Sequence, residues 1–178
     1  MSSPVVPEKR LSVWGVLARA DENRITRFID VVAKRYGTPT FRPHVTLVSD
    51  VKREETEARD VLRAVASVTP RIVVGLHSVT HSSRMFRAVV LECGHGDEAL
   101  KDMRDVLSRD LAVRSPNPFL PHVSVAYGSF NEAQRRAMAL EAEEQLLSPI
   151  TIASLDLVDT GGDDVSAWSS PWPDFALQ

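Results

Sequence analysis

A chain of 178 residues has the length of one domain or one compact two-lobed unit, with enough material to bury a core. With 43% hydrophobic residues, 25% charged residues and a net charge of −3, it is composed like an ordinary globular protein. That balance argues against a broad basic surface for long nucleic acid. Cys93 is the only cysteine, which excludes an intrachain disulfide and a cysteine-rich metal centre.

The elements predicted along the chain fall into two similar series. Residues 1–7 lack the apolar stretch of a signal peptide, and no run approaches the length of a membrane span, so a cytoplasmic location is expected. Leu11 to Ala18 reads as a strand rich in Val, Leu and Trp. A helix follows, with Ile25, Phe28, Ile29, Val32 and Tyr36 at helical spacing, Asp21 as its N-cap, and Gly37 and Pro39 as its stop. After a short motif at 41–47, a second helix carries Ala58, Val61, Leu62 and Val65, and a strand is expected at 71–79. The series then repeats. A strand spans 85–92, Leu100, Met103, Leu107 and Leu111 mark a helix, and Pro116 and Pro118 break the chain before a second motif at 119–125. A helix from about Asn131 to Leu147 opens on a capping box, Asn131 with Gln134, and ends before Pro149. A strand at 150–158 and the turn Gly161-Gly162-Asp163-Asp164 lead to a short final strand holding Trp168. No long linker separates the halves. The predicted class is α+β: one bilobal domain over 1–178 with a pseudo-two-fold axis, two antiparallel sheets facing a central cleft, and helices on the outer faces.

The two motifs are the informative part of the chain. Phe41-Arg42-Pro43-His44-Val45-Thr46-Leu47 and Phe119-Leu120-Pro121-His122-Val123-Ser124-Val125 share one pattern, with their histidines 78 positions apart. On a strand, side chains alternate faces, so His44 and Thr46 share one face while Val45 and Leu47 take the other. His122 and Ser124 repeat this against Val123 and Val125. Pro43 and Pro121 suit the first position of a strand, where the missing N–H costs least. A single His-x-Ser/Thr carries little weight, and His81-Ser82-Ser83 is such a decoy, read here as a polar turn because it lacks the Pro and the aliphatic alternation.

Two imidazoles and two hydroxyls in matching frames can move protons to and from a phosphoryl centre. A neutral ring takes a proton from water while a protonated ring supplies one to the departing oxygen, and an ordinary imidazole pKa of about 6.5 allows both states near neutrality. Thr46 and Ser124 can hydrogen-bond the non-bridging oxygens. Zinc normally takes three or four ligands, often with a carboxylate, and neither motif offers one, so no catalytic metal is expected. Phe86 and Tyr127 are candidates for stacking on a nucleobase, and Trp14, on a strand face with Ser12 and Val16, is a candidate for the same surface. Arg42 and Arg84 are read as solvent-facing arginines with some capacity to attract phosphate, His77 and His95 as surface residues, and Cys93 as a small buried hydrophobe.

On these motifs the chain resembles the 2H phosphoesterases, and within them the cyclic phosphodiesterases of the plant and fungal type. The likeness extends over Ser12-Val13-Trp14, both His motifs, the strand around Phe86, Tyr127-Gly128, and a closing strand near Asp159-Thr160 and Trp168; Met85-Phe86-Arg87 departs from the more aromatic run of that branch. The resemblance implies cofactor-free hydrolysis of small cyclic phosphates. Nucleoside 2′,3′-cyclic phosphates would open to 2′-phosphates and ADP-ribose 1″,2″-cyclic phosphate to the 1″-phosphate. It further implies His44 as acid and His122 as base, although the residues alone leave those roles open. A monomer acting on a small nucleotide, with no membrane and no long nucleic acid as partner, is the corresponding expectation. The alternatives are an RNA-end cyclic phosphodiesterase or 2′-5′ RNA ligase of the same superfamily, and a non-catalytic nucleotide-binding module.

Overall fold

The computed structural model describes residues 9–114, 118–162 and 164–178. Pro116 and Asp163, given roles in a chain break and a turn above, lie outside the described residues. In chain order the elements are β1 (Leu11–Leu17), α1 (Arg19–Tyr36), β2 (His44–Val51), α2 (Glu55–Ala66), β3 (Ile72–Val74), β4 (Leu76–His81), β5 (Val89–Cys93), α3 (Asp97–Asp110), β6 (His122–Ala126), α4 (Glu132–Leu146), β7 (Ile150–Asp159) and β8 (Phe175–Ala176). The α+β class and the predicted helices are all present.

The strands run in the order β3-β7-β1-β2-β6-β5-β4, with β8 beside β7. The two expected sheets therefore meet edge to edge, joined by the antiparallel pairing of Val45 on β2 with Val123 on β6. Each half also lends a strand to the other. The segment expected as one strand at 71–79 breaks at Gly75. Its first part, β3, stays with the first half's sheet, and its second part, β4, pairs with β5 of the second. In return β7, late in the chain, inserts between β1 and β3. This exchange interlocks the halves.

Helices cover one face of the sheet, and the aliphatic residues of both motifs enter the core beneath them. Val45, Leu47, Val123 and Val125 are all buried there with Ile25, Ile29, Leu100 and Leu107. Helix α1 packs on β6 and α3 on β2, so each motif strand is backed by a helix from the other half. Burying this aliphatic face, at about 25 cal/mol per Å² of apolar surface, sets which way the alternation points and leaves the imidazoles and hydroxyls on the helix-free face.

Several local expectations need correction. Helix α1 starts at Arg19 with Ala18 at the cap position, and Asp21 lies inside the first turn, where its carboxylate accepts from Thr151 N–H (2.9 Å) and Arg24 (3.2 Å). Asp21 thus ties the helix to β7. Gly37 does end α1, in the left-handed conformation (φ 67°) that glycine adopts at little cost. The capping box on α4 forms as expected, with Asn131 and Gln134 exchanging bonds of 2.9 Å. Residues 85–87 form a 3₁₀ turn ahead of β5, because Ser82 Oγ donates to Arg87 O (2.7 Å) and accepts from Arg84 N–H (3.3 Å). Trp168 follows another short 3₁₀ turn, Val165–Ala167, and the final strand is Phe175–Ala176. Among the described residues no helix is long and apolar enough to cross a membrane.

Candidate active site

The Val45–Val123 pairing fixes the geometry of the two motifs. Continuing that antiparallel register by one residue either way sets His44 opposite Ser124 and Thr46 opposite His122. Opposed side chains on one sheet face start about 5 Å apart, and diagonal ones about 7–8 Å. The four groups therefore make a square, with the imidazoles on one diagonal and the hydroxyls on the other. A phosphorus atom above the centre of the square would have an imidazole on each side of it.

Both rings are held by the same device. His44 Nδ1–H donates to Arg42 O (2.7 Å), and His122 Nδ1–H donates to Leu120 O (2.8 Å). A carbonyl only accepts, so each contact keeps the proton on Nδ1 and leaves Nε2 for chemistry. The strand partners then make the two sites unequal. Thr46 pairs with Trp14 on β1, and the Trp14 indole lies flat on the His44 ring, with centroids 3.5 Å apart and planes within 6°. The corresponding neighbour in the second motif, opposite Ser124, is Val90, which offers no such cover. His44 is consequently 6% exposed, and burial lowers its pKa to about 4, assisted by the charges of His122 and Arg42 and opposed by the Arg42 carbonyl. His122 is only partly buried. Burial lowers its pKa as well, with Arg87 acting the same way, while the Leu120 carbonyl and Glu92, its strand partner on β5, act against it.

Arg42, read from sequence as solvent-facing, is instead an anchor. Its guanidinium pairs with Glu22 (2.8 Å), Asp156 (3.3 Å) and Asp174 (3.4 Å), and Asp174 is held by Ser154 Oγ–H (2.7 Å). Residues from α1, β7 and the segment before β8 thereby fix the backbone whose carbonyl orients His44. Arg84 is exposed, as expected, and so are His77 and His95. His81 ends β4 and lies outside the site, beside Glu132 at 3.9 Å. Cys93 is buried, and burial pushes its thiol up to about 12, leaving it a packing group.

The four motif residues line one cavity of about 320 Å³, and the three aromatic candidates, Trp14, Phe86 and Tyr127, line it too. Ser124 Oγ–H donates to Phe86 O (3.2 Å), so the 3₁₀ turn at 85–87 sits directly over the second motif. Tyr127 stacks on Phe41 at 3.8 Å, and burial raises its phenol to about 12, so it remains neutral. Sequence reasoning missed Trp168, Arg87, Arg10 and Ser12 as cavity residues. Trp168 meets Trp14, Phe86 and Tyr127 at centroid distances of 6.3, 5.3 and 6.0 Å, closing an aromatic wall. The available signal was a lone tryptophan after a Gly-Gly turn, which is equally the mark of a core residue. Among the described residues no group of three or more His, Cys, Asp or Glu is arranged to hold a metal ion.

The depressed His44 pKa has a consequence for stability. The unfolded chain binds a proton near pH 6.5 and the folded one only near pH 4, so between those values the unfolded state holds more protons and stability rises with pH. Stability is retained above pH 6.5 and falls as pH drops towards 4, by about 3 kcal/mol at most. Denaturant titrations of the wild type and His44→Gln at pH 4.5 and 7.5 check this. The wild type should lose more stability than the variant on going to low pH, and equal losses would mean that His44 is solvated.

The fold and the doubled His–hydroxyl motif define the 2H phosphoesterase class. The sequence model of the 2′-5′ RNA ligase superfamily matches residues 19–164, and the chain belongs to this family. No curated protein sequence matches the chain. Among solved structures it is similar to E. coli LigT in apo form, with TM-score 0.60 and 14% identity over 97% of this chain and 99% of that one. E. coli LigT complexed with 3′-AMP gives 0.57 and 17% over the same shares, and a protein described as a phosphoesterase gives 0.54 and 16%, again over 97% and 99%. These likenesses establish a common fold.

Proposed function

We propose that this phosphoesterase hydrolyses small cyclic phosphates by proton transfer between His44 and His122, without a metal. The observation that carries the reading is the square of groups on β2 and β6. Its imidazoles lie on one diagonal, each tied through Nδ1 to a backbone carbonyl, and its hydroxyls lie on the other. In-line displacement at phosphorus needs a base and an acid on opposite sides, and the diagonal supplies them. Water attacks phosphorus and gives its proton to one Nε2. The bond from phosphorus to one ring oxygen breaks, and that oxygen takes a proton from the other Nε2. Exchange with solvent then resets the pair. Thr46 and Ser124 donate hydrogen bonds to the non-bridging oxygens, with Ser124 exchanging Phe86 O for the phosphate.

The surroundings of the two rings support His44 as base and His122 as acid, the reverse of the roles the resemblance implies. His44 lies dry beneath Trp14 with Arg42 nearby, which favours the neutral ring. His122 is more solvated and faces Glu92 across the strand pair, which helps it keep a proton. Phe86 and Trp168, the partly exposed members of the aromatic wall backed by the buried Trp14 and Tyr127, suit a nucleobase, so a nucleoside 2′,3′-cyclic phosphate is the substrate class. The family name favours a second reading, ligation, in which a nucleoside 5′-hydroxyl replaces water in the same step.

Phosphorus NMR of a nucleoside 2′,3′-cyclic phosphate incubated with the protein and excess chelator tests the proposal. One monophosphate should accumulate, the 2′ isomer by family resemblance, because a fixed pose protonates one ring oxygen only. No turnover, turnover abolished by chelation, or equal amounts of the 2′ and 3′ isomers would each contradict it. Adding an oligonucleotide with a free 5′-hydroxyl separates hydrolysis from ligation.

A further inference from the structure

The catalytic cavity is not the only depression at the motifs. A second groove of about 210 Å³ adjoins it, and the two share Thr46, Ser49, Arg87 and His122 as their common wall. The groove runs from that wall towards α3 and the segment before β6, where Arg104, Ser108 and Phe119 line it. Its character differs from that of the first cavity. The catalytic cavity carries the aromatic wall and includes Asp50, which pairs with Arg10 at 3.3 Å. The groove has two arginines, and among the described residues no acidic side chain lines it.

The arginines are placed as binding groups. The side chain of Arg104 is 17% exposed, and its guanidinium lies over the Phe119 ring at 5.1 Å, which fixes its direction. Its ion-pair partner is Asp105 at 3.4 Å, a side chain 73% exposed, and such a screened contact contributes little. Arg87 leaves the 3₁₀ turn at 85–87 and is close enough to His122 to bias its titration. In a chain of net charge −3, two arginines lining a groove without a carboxylate make it locally cationic. Guanidinium groups suit phosphate because their N–H donors match its oxygens in pairs.

We infer that the groove bounded by Arg87 and Arg104 is a second phosphate subsite, so that the substrate is a nucleotide bearing another phosphate beyond its cyclic phosphodiester. With the base on the aromatic wall and the cyclic phosphate over the square, the ribose lies beside His122. Its 5′ substituent then points across the shared wall into the groove. The substrate class narrows to nucleoside 2′,3′-cyclic phosphates carrying a 5′-phosphate, either as a free group or as the link to a preceding nucleotide. This inference rests on the proposed nucleotide chemistry of the site but is tested apart from turnover.

Calorimetry with adenosine 2′-monophosphate and adenosine 2′,5′-bisphosphate reads the subsite directly. The wild type should bind the bisphosphate at least tenfold more tightly. In Arg104→Gln the ratio should fall to about two or less, and Arg104→Lys should recover part of it. Should Arg104→Gln misfold, Arg87→Gln must lower the same ratio. Equal binding of the two ligands by the wild type, or a ratio that survives both neutral variants, would overturn the inference. In parallel, kcat/KM is compared for 2′,3′-cyclic AMP, its 5′-phosphorylated form and a dinucleotide ending in a cyclic phosphate. Preference for the 5′-phosphorylated form alone marks a terminal phosphate as the natural group, and equal preference for the dinucleotide marks a bridging one. Absence of turnover on all three, with the binding ratio intact, would sink the hydrolytic reading and leave the subsite standing.

Discussion

His44→Ala and His122→Ala are each expected to lower kcat by about 10²–10⁴, the range for a lost general acid or base. The loss should fall on kcat more than on KM, because in the proposed mechanism each ring exchanges a proton only as the phosphorus–oxygen bond changes. The two variants differ structurally. His122 is partly exposed, and its loss should leave folding intact, whereas His44 lies under Trp14 and its removal opens a void beneath the indole. His44→Gln fills more of that space and is the cleaner probe. Circular dichroism on each variant separates lost chemistry from lost structure. A folded variant with near-normal kcat would remove that histidine from the mechanism.

Thr46→Ala and Ser124→Ala should have the next largest effects, about 10–10² in kcat/KM, since each removes one hydrogen bond to a charged oxygen that contributes roughly 1.5–3 kcal/mol. The hydroxyls are not equivalent. Ser124 is buried and must give up its bond to Phe86 O to reach substrate, while Thr46 is partly exposed. Thr46→Ser keeps the donor and should stay within a few-fold of wild type, as the second motif already uses Ser at the matching position. Loss of activity in Thr46→Ser would show that packing of the Thr46 methyl, not hydrogen bonding, is what the site requires. The double Ala variant should lose less than the product of the two single losses, because the proposed mechanism has both hydroxyls hold one phosphate.

Much of this arrangement could be read from sequence, for a reason local to the motifs. In His44-Val45-Thr46-Leu47 and His122-Val123-Ser124-Val125 strict alternation puts chemistry on one face and aliphatic groups on the other, and burial of the aliphatic face decides the orientation. The helices were legible through the same kind of periodicity, as Asn131 with Gln134 and Gly37 show. What escaped depends on distant partners. The exchange of β4 and β7 between halves is settled by pairings such as Trp14 with Asp156, far apart in the chain. Arg42 has the composition of a surface residue until Glu22, Asp156 and Asp174 converge on it from separate elements. Phe86 sits in an apolar run that suggests a strand, but Arg87 N–H bonds back to Arg84 O in a 3₁₀ turn over Ser124, and Ser82 Oγ braces it at Arg84 and Arg87. Trp168 belongs to the site only because the chain after β7 folds back across the cavity.

The central claim is that His44 and His122 act as an opposed base and acid on one phosphorus. It is tested most directly by the pH dependence of kcat/KM, which reports the free enzyme. The wild type should give a bell whose two limbs both lie below the ordinary imidazole value, because burial depresses both rings. The limbs belong to the pair, so assignment comes from the variants. Residual activity in His44→Gln should lose the acid limb, as no base remains to be protonated, and residual activity in His122→Ala should lose the alkaline limb. Interchanged limbs would swap the roles of the two histidines, and a bell that persists unchanged in either variant would contradict the two-histidine mechanism.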